Sequence, residues 1–121
     1  MALTDQQLAL LDETKEVEIE TRSERGTFAT IIWVVVIDGA VYVRSVQGED
    51  GRWYQRALAD PRVAILVDDE RIEFRAVKVD DPAEIEAVTA ALRAKYRPGG
   101  SLDRMTRDEV VDTTFRLEPA S

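Results

Sequence analysis

The stretch TFATIIWVVVIDGAVYVRS, residues 27–45, decides the fold of this chain. A strand is predicted over residues 27–37, and apolar side chains fill both of its alternating faces from Ile31 to Ile37, which is typical of a strand buried on both sides. Asp38-Gly39 follows as a turn signal, because glycine supplies the positive φ that a two-residue hairpin requires. The chain is therefore predicted to return as an antiparallel strand over residues 40–46.

Alternating patterns on either side of this hairpin predict the other strands. Residues 17–22 alternate apolar with polar side chains, as in a strand with one solvent-exposed face. A second hairpin is predicted over 62–67 and 71–79, across the acidic turn 68–70, and a final strand over 112–118.

Three segments carry helix signals. Thr4 followed by Gln7 forms a capping box for a short first helix. Residues 53–60 are predicted to form two helical turns, and Asp81-Pro82 begins a long helix with an acidic cap and proline at its first position.

These elements predict one α+β domain over residues 1–121, a six-stranded, mostly antiparallel, partly closed β-barrel with helices at its edges. The predicted parts are a helix over 1–14, the main barrel strands over 15–79, a helix over 82–97 and the final strand over 112–118.

The charge composition narrows the choice of partners. The chain has 24 acidic and 16 basic residues, a net charge of −8, which argues against binding to nucleic acid or anionic membranes. The longest apolar run, 31–37, is too short to span a bilayer, and the start, residues 1–5, lacks a signal-peptide pattern. We expect a cytoplasmic protein with no membrane segment.

Histidine and cysteine are both absent, which excludes several kinds of chemistry. Zinc sites built from these residues, thiol nucleophiles and serine–histidine triads are all ruled out. An enzyme of this composition needs carboxylates or a bound cofactor. Glu18 and Glu20 share one face of a strand and are an open carboxylate alternative, which requires that they face a cavity; solvated strand faces also produce such pairs.

The densest group of candidate ligands is Arg44-Ser45 at a strand end and Gly51-Arg52-Trp53 at a helix start. A guanidinium, a hydroxyl, loop amides and the positive end of a helix can converge there on one phosphate. Residues 22–75 carry eight basic and nine acidic side chains, so the overall acidity does not exclude an anion site among them. Such junctions also occur without a ligand, and the spacing matches no Walker or dinucleotide motif, so a structural role stays open.

Several segments together carry a family resemblance: TIIWVVVIDG at 30–39, VYVRS at 41–45, Gly48, GRWY at 51–54 and ADPRV at 59–63. They resemble the split β-barrel superfamily of pyridoxamine-phosphate oxidases and deazaflavin-dependent nitroreductases. Within that superfamily, AKY at 94–96 and TTFRLEP at 113–119 look like the small family designated domain of unknown function 2255.

The resemblance implies a homodimer that holds FMN or a deazaflavin coenzyme in a groove between split barrels. The cofactor-binding residues implied by position are Arg44, Ser45, Arg52, Trp53 and, near the ring, Thr30. The resemblance also implies that Arg22 and Arg25 contact the anionic tail of a deazaflavin.

Two departures from the resembling proteins narrow the expected activity. The chain lacks the longer lysine- and arginine-rich phosphate clamp typical of pyridoxamine-phosphate oxidases, so that activity is not expected. The glycine-rich entry loop of the nitroreductases is shortened to residues 23–26.

We therefore expect a small flavin- or deazaflavin-dependent oxidoreductase that transfers hydride to or from an organic small molecule, with Tyr54 and Tyr96 as candidate proton donors. The alternative is a cofactor-free barrel dimer that acts as a ligand- or protein-binding module. The shortened loop and the acidity of the chain favour that alternative.

Overall fold

The computed structural model describes residues 3–120; residues 1, 2 and 121, which the predicted domain includes, lie outside the described residues. The described residues form an α+β fold with seven strands and five α-helices. The strands are β1 Glu16–Ser23, β2 Gly26–Trp33, β3 Val35–Ile37, β4 Ala40–Arg44, β5 Arg62–Val67, β6 Glu70–Lys78 and β7 Thr114–Pro119. The helices are α1 Asp5–Glu13, α2 Arg52–Ala59, α3 Pro82–Lys95, α4 Gly100–Thr106 and α5 Asp108–Val111, with a 3-10 turn over Gly48–Asp50.

One antiparallel sheet contains all seven of these strands, in the order β2-β1-β5-β6-β7-β4-β3. The two edge strands, β2 and β3, are consecutive in the chain, and the sheet curls into a half-barrel. The predicted hairpin at Asp38-Gly39 joins β3 to β4, with φ of 49° and 81° at the two turn residues.

The prediction of six strands is wrong, because the segment 27–37 forms two strands that separate at Val34. The Val34 N–H donates to the Tyr96 hydroxyl (3.1 Å), and its carbonyl accepts from Lys95 Nζ (2.7 Å). Because both backbone groups bond to side chains at the end of α3, the chain leaves β1 and can begin pairing with β4. The apolar pattern is continuous through Val34, so the sequence gives no local indication of this corner between β2 and β3.

Two apolar clusters hold the half-barrel and its helices together. The first lies inside the curled sheet and contains Tyr54 of α2, Phe74 and Phe115. The second packs α3 against β3 and β4 and contains Val88 and Leu92. α2 is therefore fixed to the barrel interior by its apolar face, which leaves its polar face available to solvent.

No helix in the described part of the chain is both long enough and apolar enough to cross a bilayer.

Candidate functional site

A groove of about 720 Å³ runs between β2, the end of β4 with its following loop, α2 and α4. Its lining residues come from all four of these segments and from the start of β1. They are Glu16, 28–33, 44–47, Asp50, Arg52, Trp53, Arg56, Ser101, Arg104 and Met105.

The wall formed by β2 is apolar and open to solvent. Phe28 is 39% exposed and Ile31 is 65% exposed, although both are large hydrophobic residues. From Phe28 to Trp33 the strand extends about 17 Å, at the usual rise of about 3.3 Å per residue. Because β2 is a sheet edge, no strand of the described chain covers its outer side.

The groove is cationic in an anionic protein. Four arginines line it, at positions 44, 52, 56 and 104, against two acidic residues, Glu16 and Asp50, so its formal charge is +2 while the chain carries −8. None of these four arginines forms a salt bridge with a carboxylate within residues 3–120. An uncompensated group of guanidinium ions in a concave site favours binding of an anion.

Arg44 is the most deeply buried of these arginines, with only 1% of its surface exposed. Its guanidinium donates to Thr114 Oγ1 (2.8 Å), Thr89 Oγ1 (2.9 Å) and the carbonyls of Met105 and Ile85 (3.1 Å each). Burial lowers the pKa of Arg44 to about 10, so the side chain remains charged at neutral pH. Arg44 thus ties β4 to α3, α4 and β7, and most of its donor capacity is used within the protein.

Ser45 is also buried, and its hydroxyl donates to the Gly48 carbonyl (2.8 Å) across the loop. A Cβ atom at Gly51 would lie 2.4 Å from Ser45 Oγ, so any larger residue there would displace the Ser45 hydroxyl. Ser45 therefore closes the loop that delivers the chain to the start of α2.

Arg52 and Trp53, the first two residues of α2, line the groove. Gly51 is the capping residue and has no side chain to accept from the first turn, which also contains no acidic residue. Arg52 occupies the first helical position and is exposed. Since free N–H groups and a cation meet at this point, the start of α2 is suited to hold a phosphate.

Trp53 contributes only an edge to the groove. The side chain is 6% exposed and packs in the barrel core, with its ring centroid 6.0 Å from that of Phe115. Thr30 lies half-buried on the β2 wall. All five residues implied by the family resemblance line this groove: Arg44, Ser45, Arg52, Trp53 and Thr30. Only Arg52 and Thr30 present substantial surface to it.

Two candidate proton donors lie away from the groove lining. The Tyr96 hydroxyl donates to the Lys15 carbonyl (2.5 Å), and burial raises its pKa to about 12. Its ring stacks on Trp33 with centroids 3.9 Å apart, so Tyr96 supports the wall from behind. Tyr54 is buried in the core, which raises its pKa.

The remaining charged candidates also lie outside the lining. Arg22 and Arg25 belong to the β1–β2 hairpin and do not line the groove. Glu20 accepts from Arg71 (2.6 Å), and Glu18 is exposed on the same strand face without lining the groove. The carboxylate alternative therefore lacks the cavity that it requires.

The sequence analysis missed two groove arginines, Arg56 and Arg104. Arg56 follows Arg52 by four residues, a spacing that places both side chains on one helix face, and this signal was available in the sequence. Arg104 had no comparable signal, because its position depends on how α4 packs against the end of β4.

Comparison with solved structures shows the fold. One similar chain is a putative pyridoxamine 5'-phosphate oxidase from Listeria innocua, with 16% identity and a TM-score of 0.71 over 97% of this chain and 93% of that one. The heme storage protein HutZ from Vibrio cholerae has 18% identity and a TM-score of 0.73 over 100% of this chain and 92% of that one. An F420 reductase has 18% identity and a TM-score of 0.64 over 93% of this chain and 92% of that one. Among curated proteins, no relative is found.

A family model covers almost the entire domain, from residue 7 to residue 117. Together with the half-barrel architecture and the shared fold, this match decides the family. The chain belongs to DUF2255, described as an uncharacterized protein conserved in bacteria.

Proposed function

We propose that the groove binds a flavin-type cofactor, FMN or a deazaflavin, and that the protein is a small oxidoreductase acting on an organic small molecule. The observation that carries the proposal is the set of uncompensated arginines beside the uncapped start of α2. When bound, the ring would exchange hydride with the substrate, while the chain binds, orients and shields it from water.

The groove has the dimensions and the two kinds of surface that such a cofactor needs. A volume of about 720 Å³ lies in the range of small-molecule sites. Arg52 and the first N–H groups of α2 would hold the phosphate, and the apolar β2 wall around Ile31 would contact the flat ring. The likeness to an F420 reductase and to a putative pyridoxamine 5'-phosphate oxidase supports the same class of ligand.

We further propose that a second copy of the chain completes the groove, as the family resemblance implies. Phe28 and Ile31 lie on an open sheet edge, and a partner that covers them would remove apolar surface from water. The cofactor would then lie between two subunits.

Heme is a less suitable occupant, although HutZ shares the fold. A heme iron takes histidine, cysteine, methionine or tyrosine as its axial ligand. The chain has no histidine or cysteine, and no tyrosine lines the groove. The remaining candidate, Met105, is a core residue that is 5% exposed.

A cofactor-free binding module is the second candidate, and a specific observation favours it. The donors of Arg44 and Ser45 are largely committed to internal hydrogen bonds, so two of the residues implied by family resemblance already have partners. In that case the groove would take a small anionic ligand without redox chemistry.

Ligand titration of the purified protein separates the two candidates. Quenching of tryptophan fluorescence should report micromolar binding of FMN or the deazaflavin coenzyme, since Trp33 and Trp53 both line the groove. Arg52→Gln should weaken FMN binding about tenfold or more, because a charge-assisted hydrogen bond is lost. The matched control, Arg75→Gln on the exposed face of β6, should not change it. Absence of micromolar binding for both cofactors would reject the oxidoreductase.

A further inference from the structure

Arg56 is held in a fixed position at one end of the groove. Its Nε donates to Thr21 Oγ1 (2.7 Å), and its guanidinium carbon lies 4.5 Å from the centre of the Phe28 ring. Thr21 and Phe28 are direct cross-strand partners in the β1–β2 pair, and Thr21 is fully buried. The side chain is therefore anchored to both strands of the hairpin, and its Nη groups remain available to a ligand.

The charge of Arg56 has no partner in the described chain. No carboxylate among residues 3–120 forms a salt bridge with it, and the nearby Arg52 lies on the same helix face with the same sign of charge. Two like charges at this spacing oppose helix stability, and partial burial of one of them adds a desolvation cost. A ligand anion would relieve both effects.

Arg56 and Arg52 serve different positions along the groove. Four residues separate them, which is about 6 Å along the axis of α2. Arg52 stands at the helix start, where the free N–H groups are, whereas contacts with Thr21 and Phe28 hold Arg56 toward the hairpin end. A phosphate at the start of α2 therefore leaves Arg56 free for another negative charge.

We propose that Arg56 is a specificity-determining residue that binds a second anionic group of the cofactor, beyond the phosphate held at the start of α2. The inference rests on the proposed function. The second group is either a further phosphate, as in the pyrophosphate of FAD, or a carboxylate, as in the tail of the deazaflavin coenzyme F420. FMN lacks both groups.

The test compares dissociation constants of FMN, FAD and coenzyme F420 for the wild type and for Arg56→Gln. The wild type should bind FAD or F420 more tightly than FMN, and the ligand that it prefers identifies the second group. Arg56→Gln should weaken that ligand about tenfold, the loss expected for a charge-assisted hydrogen bond, and should weaken FMN less than twofold. Thr21→Val removes the acceptor that positions Arg56 and should produce part of the same selective loss.

Arg75→Gln is the matched control, because Arg75 is exposed on β6 and lies outside the groove lining. It should leave all three constants unchanged. Arg25→Gln tests the residue that the family resemblance implies for the anionic tail, and we expect it to leave the constants unchanged as well, because Arg25 lies outside the groove lining. Arg56→Lys keeps the charge but loses the fixed geometry, and it should retain an intermediate preference. This variant also provides the comparison if Arg56→Gln does not fold, as judged by its melting curve.

Three results would overturn the inference. One is a wild type that binds FMN as tightly as FAD and F420; another is an equal loss of all three ligands in Arg56→Gln. The third is a selective loss in Arg25→Gln in place of Arg56→Gln. A wild type that binds none of the three rejects the proposed function itself, whereas FMN binding that persists without selectivity rejects only the role of Arg56.

Discussion

Gly51→Ala should destabilise the protein mainly through one contact, with the Ser45 hydroxyl, and removing that hydroxyl should restore most of the stability. The backbone at Gly51 has φ of −63° and ψ of 127°, values that any residue adopts, so the glycine is not needed for its conformation. Its role is spatial, because a Cβ atom would lie 2.4 Å from Ser45 Oγ. Ser45 would have to rotate and lose its hydrogen bond to the Gly48 carbonyl.

The magnitude follows from opposing terms. Loss of the buried hydrogen bond costs about 1–3 kcal/mol. Replacement of glycine by alanine returns about 0.4–1 kcal/mol, because the unfolded chain loses freedom. Gly51→Ala should therefore lower the free energy of unfolding by about 1–2 kcal/mol, and Ser45→Ala alone should lower it by about 1 kcal/mol.

In the double variant the 2.4 Å contact is gone, and the added Cβ then meets the Gly48 carbonyl oxygen at 3.3 Å, a tight contact, and the Cβ of residue 45 at 3.6 Å, an ordinary one. Ser45→Ala should consequently stabilise the Gly51→Ala protein although it destabilises the wild type. The coupling energy in this cycle should be about 1–2 kcal/mol.

Urea unfolding of the four proteins measures this cycle. The control is Gly100→Ala, where a Cβ atom meets nothing within 4 Å, and it should not reduce stability. Additive effects of the two substitutions would refute the contact, as would a double variant less stable than Gly51→Ala alone.

Three further outcomes are expected. Burial lowers the pKa of Lys95 from 10.5 to about 8, so between these pH values the unfolded chain binds more protons than the folded one. The free energy of unfolding of the wild type should therefore rise relative to that of Lys95→Met by about 1–2 kcal/mol from pH 7.5 to 9.5, as measured by urea unfolding. Arg44→Met leaves buried carbonyls without donors and should lower the free energy of unfolding by about 2–4 kcal/mol, measured in the same way. Ile31→Glu places a charge on the open β2 edge and should give a monomer by light scattering where the wild type gives a dimer; a monomeric wild type would reject the dimer, and a dimeric variant would reject an interface at Ile31.

Local patterns in the sequence were enough to predict most of the strands and helices. Alternation identified the strands, and turn or capping residues such as Asp38-Gly39 identified where elements begin and end. The corner at Val34 could not be predicted in this way. It depends on Lys95 and Tyr96, which are about 60 residues away and meet Val34 only once α3 has packed.

In the candidate site, too, features set by residues close in sequence could be predicted, whereas features set by distant residues could not. The strand–loop–helix pattern correctly brought Arg44, Ser45 and Arg52 to one groove, because these residues are close in sequence. The pattern could not show that Arg44 donates hydrogen bonds to four acceptors in α3, α4 and β7, because those acceptors belong to distant segments of the chain. Residue type and position were enough to predict that these residues lie close together, whereas the use of their hydrogen-bond donors is visible only in the packed structure.

The salt bridges within residues 3–120 all lie away from the groove. The arginines that do form salt bridges, Arg62, Arg71, Arg107 and Arg116, all lie outside it, although the chain has eight more acidic than basic residues. Five arginines outside the groove, at positions 22, 25, 75, 93 and 97, also form no salt bridge within residues 3–120, so what distinguishes the groove is that four unpaired arginines lie together on one concave surface. Like charges gathered on one concave surface repel one another, and a bound anion would compensate them and stabilise the folded protein. The groove is therefore best understood as a site whose electrostatic complement is supplied by its ligand.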